Sequence, residues 1–334
     1  MNGLADGWKN RCLALTRRTI VIGAALGAAG SALAAYPDRP IILIVPFAPG
    51  GSSDIIARTI APELSAKLGQ SIVVENTAGA GGVLGMTRAV RSPADGYSLL
   101  LGSGSEVLIN KLINPALQFD GLRDLKPVVF VGTGPMVLVG KKALAPNTVA
   151  ELITYAKDEK NVLNFASAGN GTPMHVAGEL FNLKAGTKIS HIPYRGASPA
   201  LVDVMGGQIE LGISTLTAAQ SFIKAGKIKA YGVLSREKSP LAPDIPAIGQ
   251  VPGLEAVDLG VWFGLFVPGK TPADVTSKLE AAARAVMANP EIVRKLAEQG
   301  VIASGESAGK LNSFMAQEVD KYRAVIKAAD IKPQ

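Results

Sequence analysis

The chain has 334 residues, 48% hydrophobic and 18% charged, with one cysteine and a formal net charge of +7. The lone Cys12 excludes an internal disulfide and a cysteine-based metal site. Its basic residues are scattered and not interleaved with aromatics, which argues against a nucleic-acid partner.

Residues 1–34 read as a secretory signal peptide. Lys9, Arg11, Arg17 and Arg18 precede an apolar run over 20–29, and Ala32-Leu33-Ala34 supplies the small-x-small pattern of a cleavage site before Ala35. The run is too short for a stable membrane anchor. Thr16-Arg17-Arg18 leaves both the general secretory and the twin-arginine route open. Lys9-Asn10-Arg11 does not fit a lipid-modified cysteine at Cys12. Removing the leader takes away four basic residues and Asp6, so the mature charge is a mild +4. The expectation is a periplasmic protein of about 300 residues, enough for two lobes with full cores.

Apolar runs then alternate with helical segments, the signature of parallel α/β architecture. A continuous run over 41–45 predicts a strand buried on both faces. A glycine-rich turn leads to a helix over 53–68 that Gly69 ends. Strands follow over 71–75, 98–101, 128–131 and 137–139, with a short helix over 83–90. Thr148 and Glu151 form a capping box. A strand over 164–166 leads to a helix capped by Thr172 with Pro173 at its first position. Ser198-Pro199 repeats that signal, and strands over 228–234 and 262–267 follow. Helices over 272–288 and 290–298 are expected to close the chain.

One device occurs twice. A strand, a glycine turn and a capped helix appear at 45–54 and again at 165–175. Ligands in open α/β sheets sit at the carboxyl ends of strands, beside helix N-termini. The first copy is Pro46-Phe47-Ala48-Pro49-Gly50-Gly51-Ser52-Ser53-Asp54. Here Gly50 and Gly51 allow positive φ and close backbone approach, while the helix dipole favours an anion. The second is Ala168-Gly169-Asn170-Gly171-Thr172-Pro173-Met174-His175. Ordinary β–α turns use the same glycines, and His175 fits a helix-surface role as well as a ligand contact. Tyr194 and Arg195 precede a helix; the guanidinium suits a carboxylate, though it equally suits solvent.

Catalytic and cofactor motifs fit poorly. Phe165-Ala166-Ser167-Ala168-Gly169 imitates a nucleophile elbow, but Phe165 stands where its first glycine belongs and no histidine follows His191. Gly79-Ala80-Gly81-Gly82-Val83-Leu84-Gly85 imitates a dinucleotide fingerprint with Leu84 at its last glycine. It better serves close packing or a third ligand-facing loop. Two histidines, His175 and His191, make a poor candidate for a metal site. No cofactor is implied.

Taken together, these segments resemble the substrate-binding proteins of tripartite tricarboxylate transporters, the Bug family. The resemblance spans the mature chain. It rests on Tyr36-Pro37-Asp38-Arg39-Pro40, on Pro46 to Gly51 with Asp54 and Arg58, and on Gly79-Ala80-Gly81-Gly82 and Asp95-Gly96-Tyr97. It continues through Gly169-Asn170-Gly171-Thr172 with His175, Pro193-Tyr194-Arg195-Gly196 and Trp262-Phe263-Gly264. Asn76-Thr77-Ala78 and Ser103-Gly104-Ser105 depart from the usual pattern.

The resemblance implies a flytrap-like, type II periplasmic binding protein. Each lobe would be a mostly parallel sheet flanked by helices, with lobe 1 from 35–136 and 256–334 and lobe 2 from 137–255. Phe47 to Asp54 and Ala168 to Thr172 would grip one carboxylate; Ser103, Ser105, Tyr194 and Ser214 would read the far end. Many relatives carry Asp near position 214, sometimes in amino-acid binders; Ser214 removes that partner for an ammonium group, which makes an amino-acid ligand less expected. Implied partners are the permease subunits of a tripartite transporter. A sensor kinase, or a hydrolase on the same scaffold, would be the competing roles.

Overall fold

The computed structural model describes residues 36–333, so the expected leader, Cys12 and the Ala34-Ala35 junction lie outside the described residues. Strands β1 (Ile41–Val45), β2 (Ile72–Asn76) and β3 (Ser98–Ser103) run parallel with β1 in the middle. Ile41, Leu43, Ile44 and Val45 are fully buried, as an unbroken apolar run between two neighbours requires. Helix α1 (Ser52–Leu68) ends at left-handed Gly69, whose N–H returns to the Ser65 carbonyl. Helix α2 (Val83–Arg91) leads to β3.

Strand β4 (Leu125–Lys141) is 17 residues long and belongs to two sheets. The sequence reads two separate strands here because Gly132, Gly134 and Pro135 interrupt it. In the structure the strand runs through them: Gly132 follows a register shift after Phe130, and Gly134 and Pro135 pair in register with Val261 and Gly260. A Cβ on Gly132 would sit 2.2 Å from the Ile302 carbonyl, so glycine permits the close strand approach rather than ending the strand.

Helix α3 (Val149–Lys157) is capped by Thr148, while the Glu151 carboxylate accepts from the Asn147 N–H. Strand β5 (Asn164–Ser167), helix α4 (Pro173–Ala185), strand β6 (Ser190–Pro193), helix α5 (Ala197–Met205), strand β7 (Leu211–Thr215), helix α6 (Leu216–Lys224) and strand β8 (Ile228–Val233) follow. Strand β5 runs parallel to β6 and β7, and the second half of β4 lies antiparallel between β7 and β8.

Strand β9 (Gly260–Pro268) returns to the first sheet, antiparallel between β3 and the first half of β4. Its pairing with β4 ends at Pro135, and β7 takes over from Met136. The chain is thus an α/β fold of two sheets sharing one long strand. Each sheet is parallel on its outer flank and antiparallel where the chain crosses, so it is mixed rather than mostly parallel.

Two further expectations need correction. Helix α5 starts at Ala197, ahead of Ser198, with Gly196 as its N-cap; a Cβ on Gly196 would lie 3.1 Å from Ala48. The chain also does not close with the helices α7 (Ala273–Met287) and α8 (Pro290–Glu298). Strand β10 (Ile302–Ser307) adds antiparallel to β4, and the 21-residue α9 (Ala308–Ala328) follows. From Arg39 onward the chain forms one compact unit. No described helix is long and apolar enough to cross a membrane.

Candidate functional site

The turn after β1 is shaped from within α1. Asp54, in the first helical turn, accepts from the Gly50 N–H at 2.9 Å, from Arg58 Nε at 3.0 Å and from Asn76 Nδ2 at 3.0 Å. Asn76 also donates to the Phe47 carbonyl. Burial alone would raise the Asp54 pKa, but the bonds from Arg58, Gly50 and Asn76 hold it below the ordinary carboxylate value. Gly50 adopts φ +78°, whereas Gly51 has φ −78°, which any residue can adopt. The expectation of positive φ is therefore corrected at Gly51. Gly51 lines the cavity, and a Cβ there would meet only the Ala48 carbonyl at 3.4 Å.

The turn after β5 is built the same way. Thr172 Oγ1 donates to the Gly169 carbonyl at 2.7 Å and accepts from the His175 N–H, and His175 Nδ1 accepts from the Gly171 N–H. The His175 ring stacks on His191 with centroids 4.1 Å apart, and His191 Nε2 is 2.6 Å from Ser167 Oγ. Burial lowers the two imidazole pKa values to about 4 and about 3, with His175 adding to the effect on His191. Both rings are thus neutral near pH 7. The Ser167–His191 contact has the spacing of a nucleophile and base. However, Ser167 is fully buried, and among the described residues His191 Nδ1 has no partner to orient it. It buttresses the turn.

The two turns face each other across a cavity of about 20 Å³. Phe47, Gly51, Ser52 and Ser53 line it from the first turn, and Ala168, Thr172, Pro173 and Met174 from the second. Ser103 at the end of β3, Ala197, Val261 and Phe263 complete the wall. The starts of α1, α4 and α5 therefore converge on one space. First-turn N–H groups have no partner within their own helix, and each helix presents its positive end there. No titratable side chain is among the lining residues. Oriented amides and hydroxyls without a fixed charge, between apolar walls, suit a small anion.

Side chains as well as backbone tie the loops around the turns together. Ser105 Oγ lies within hydrogen-bond reach of the carbonyls of Gly81 (2.6 Å) and Gly171 (3.0 Å), which share its single hydrogen, and Asn110 Nδ2 donates to Gly81 (2.9 Å). The Ala48 N–H donates to the Arg195 carbonyl at 3.3 Å. A Cβ on Gly171 would fall 2.1 Å from Asn110 Oδ1.

Of the residues singled out in the sequence, Phe47, Gly51, Ser52, Ser53, Ser103, Ala168 and Thr172 meet at the cavity. Pro49, Gly50, Asp54, Gly169, Asn170, Gly171 and His175 belong to the turns behind it, and Ser105 joins them. Three stand apart. The Tyr194 hydroxyl donates to Asp203 at 2.6 Å, Arg195 points to solvent, and Ser214 is buried on β7 with no partner for its Oγ among the described residues.

Sequence reasoning passed over Met174, Ala197, Val261 and Phe263 as site residues. The helix-start signals at Pro173 and Pro199 and the Trp262-Phe263-Gly264 motif lay beside them. It also passed over Glu106, fully buried one turn from Ser103, for which the sequence carries no signal.

Residues 56–331 match the family described as the tripartite tricarboxylate transporter family receptor. The solved periplasmic binding protein BugD is 30% identical, with a TM-score of 0.83 over 90% of this chain and 100% of its own. Rpa4515 of R. palustris, solved with adipate, is 30% identical with a TM-score of 0.84 over 90% of this chain and 100% of its own. MatC of Rhodopseudomonas palustris, solved with bound malate, is 29% identical with a TM-score of 0.82 over 87% and 100%.

Proposed function

The chain belongs to the tripartite tricarboxylate transporter receptor family, and from that premise we propose that it captures a small carboxylate between its two sheets. The protein is a solute-binding receptor that hands its ligand, chemically unchanged, to the permease subunits of a membrane transporter. It acts in the periplasm after cleavage between Ala34 and Ala35.

The observation that carries this reading is the meeting of three helix N-termini at one cavity without a titratable lining residue. A carboxylate there accepts from backbone N–H groups and from the Ser52, Ser53 and Ser103 hydroxyls, while Thr172, whose hydrogen is spent on the Gly169 carbonyl, shapes the turn. Phe47, Val261 and Phe263 cover its apolar part. An ammonium group would find no carboxylate in the lining, which favours a plain acid over an amino acid. The adipate and malate of the two solved relatives are of that class.

The two lobes are the regions on either side of the β4 handover, 35–136 with 256–334, and 137–255. Pro49, Gly50, Asp54, Gly169, Asn170, Gly171, His175 and Ser105 act by holding the two turns, while Tyr194, Arg195 and Ser214 take no direct part.

The test is a thermal-shift screen of small acids against their methyl esters. Acids at about a hundred times their dissociation constant add about 2.7 kcal/mol of stability. Esters that stabilise equally well would refute the carboxylate reading. Mass spectrometry of the bound acid after prolonged incubation separates capture from catalysis, because a receptor returns it intact.

A further inference from the structure

Directly behind the cavity wall lies one ionisable group that the reading above does not use. Glu106 is fully buried at the start of the turn that follows β3. The Ser103 N–H donates to its Oε1 at 2.5 Å, and Ser103 Oγ lies 3.0 Å from its Oε2. A Cβ on Gly82 would come within 3.1 Å of Oε2 and 3.3 Å of Phe47, so the carboxyl is boxed in behind two lining residues, Ser103 and Phe47.

The elements packed against this turn carry Arg88, Arg91, Lys111, Arg123 and Asp124, and, on α9, Lys310, Glu318, Asp320, Lys321, Tyr322, Arg323 and Lys327. None of them contributes to the Glu106 titration. Burial pushes its carboxyl up to about 8, opposed only by its own N–H and the two Ser103 bonds. A buried carboxylate without a counter-charge is costly, so near pH 7 the group keeps its proton.

The geometry places that proton. Oε1 already accepts an N–H, which makes it the carbonyl oxygen. The hydrogen sits on Oε2, facing Ser103 Oγ. A serine hydroxyl has one hydrogen and two lone pairs. Accepting from Glu106, Ser103 turns its own hydrogen away from the carboxyl and toward the cavity it lines. If Glu106 were ionised, Ser103 would donate backwards and show the cavity only lone pairs, with a second negative charge behind them.

We propose that Glu106 is a positioning residue that, in its neutral form, fixes the Ser103 hydroxyl as a donor to an anion in the cavity. The assignment rests on the carboxylate reading, and it predicts that capture weakens as Glu106 loses its proton. His175 and His191 titrate near 4 and 3 and Tyr194 near 12, outside the window in question.

The experiment is calorimetric titration of the full mature protein with adipate, malate and acetate from about pH 6 to about pH 9.5. Wild-type affinity holds to about pH 7.5 and then falls about tenfold per pH unit above the Glu106 transition. Glu106→Gln supplies an amide N–H to Ser103, binds within about threefold of wild type at pH 7 and stays level at high pH. Ser103→Ala binds more weakly and is level throughout. A wild-type affinity unchanged to pH 9.5, or a Glu106→Gln variant that fails at pH 7 while folded, overturns the proposal.

If wild type binds none of the three acids, the carboxylate reading is what fails. The infrared difference between wild type and Glu106→Gln at pH 7 then decides the Glu106 assignment alone. A protonated-carboxyl band present only in wild type supports it, and its absence overturns it.

Discussion

A Cβ at position 81 would sit 1.9 Å from the carbonyl oxygen of Asn170. Gly81 lies in the loop before α2 and Asn170 in the turn before α4, so the two sheets' loops touch there through bare backbone. Gly81 also adopts φ +58°, which disfavours a side chain independently. Gly81→Ala should therefore keep the two turns apart. It is expected to weaken ligand binding at least tenfold, about 1.4 kcal/mol, and to increase the radius of gyration measured by small-angle scattering. Unchanged affinity and dimensions would mean that this contact does not govern closure.

Asp54 ties the first turn to its helix. Asp54→Ala leaves the Gly50 N–H and Arg58 without their acceptor, a loss of about 1–3 kcal/mol. The pH dependence follows from its lowered pKa. A carboxyl that is more acidic folded than unfolded stabilises the fold above its ordinary value of 3.8, and that share is lost as pH falls through the folded value. Melting curves should separate wild type from Asp54→Ala at pH 7 and bring them together in strong acid. A constant gap down to the lowest pH would show that the charge is irrelevant.

Glu106 has the opposite sign. Its folded pKa of about 8 lies above the ordinary 4.5, so the folded protein retains a proton that the unfolded chain releases. The stabilisation is complete below about 4.5 and is lost as pH rises toward 8, at up to about 1.4 kcal/mol per pH unit. Urea midpoints for wild type should fall relative to Glu106→Gln over that range and run parallel above it. Parallel behaviour throughout would place the carboxyl in a solvated, unshifted state.

Much of the architecture is legible in the residues. The run over 41–45, the Thr148 and Thr172 caps and the Gly69 stop are local signals, and each lies where local chemistry puts it. Long-range structure hides what was missed. Helix α9 buries only Leu311, Met315 and Tyr322 of its 21 residues, too sparse a stripe to read from periodicity. Strand β4 looks broken because its glycines answer to β10, far along the chain.

The two glycine turns are legible locally, since glycines, a hydroxyl residue and a helix start are written consecutively. Ser167 and His191, or Ser103 and Glu106, gain meaning only through burial. Nothing local distinguishes Glu106 from a surface carboxylate.

A double-mutant cycle tests most directly whether both turns hold one carboxylate. Gly51→Val puts a side chain into the cavity without backbone strain, since φ there is −78°. Thr172→Val keeps shape but removes a cap and a hydroxyl, at about 1 kcal/mol of stability. Calorimetric affinities for the acid that binds wild type should fall sharply for either change alone, while the double variant loses much less than the sum. Strict additivity of the two losses would show that the turns act on separate ligand groups and would contradict the account.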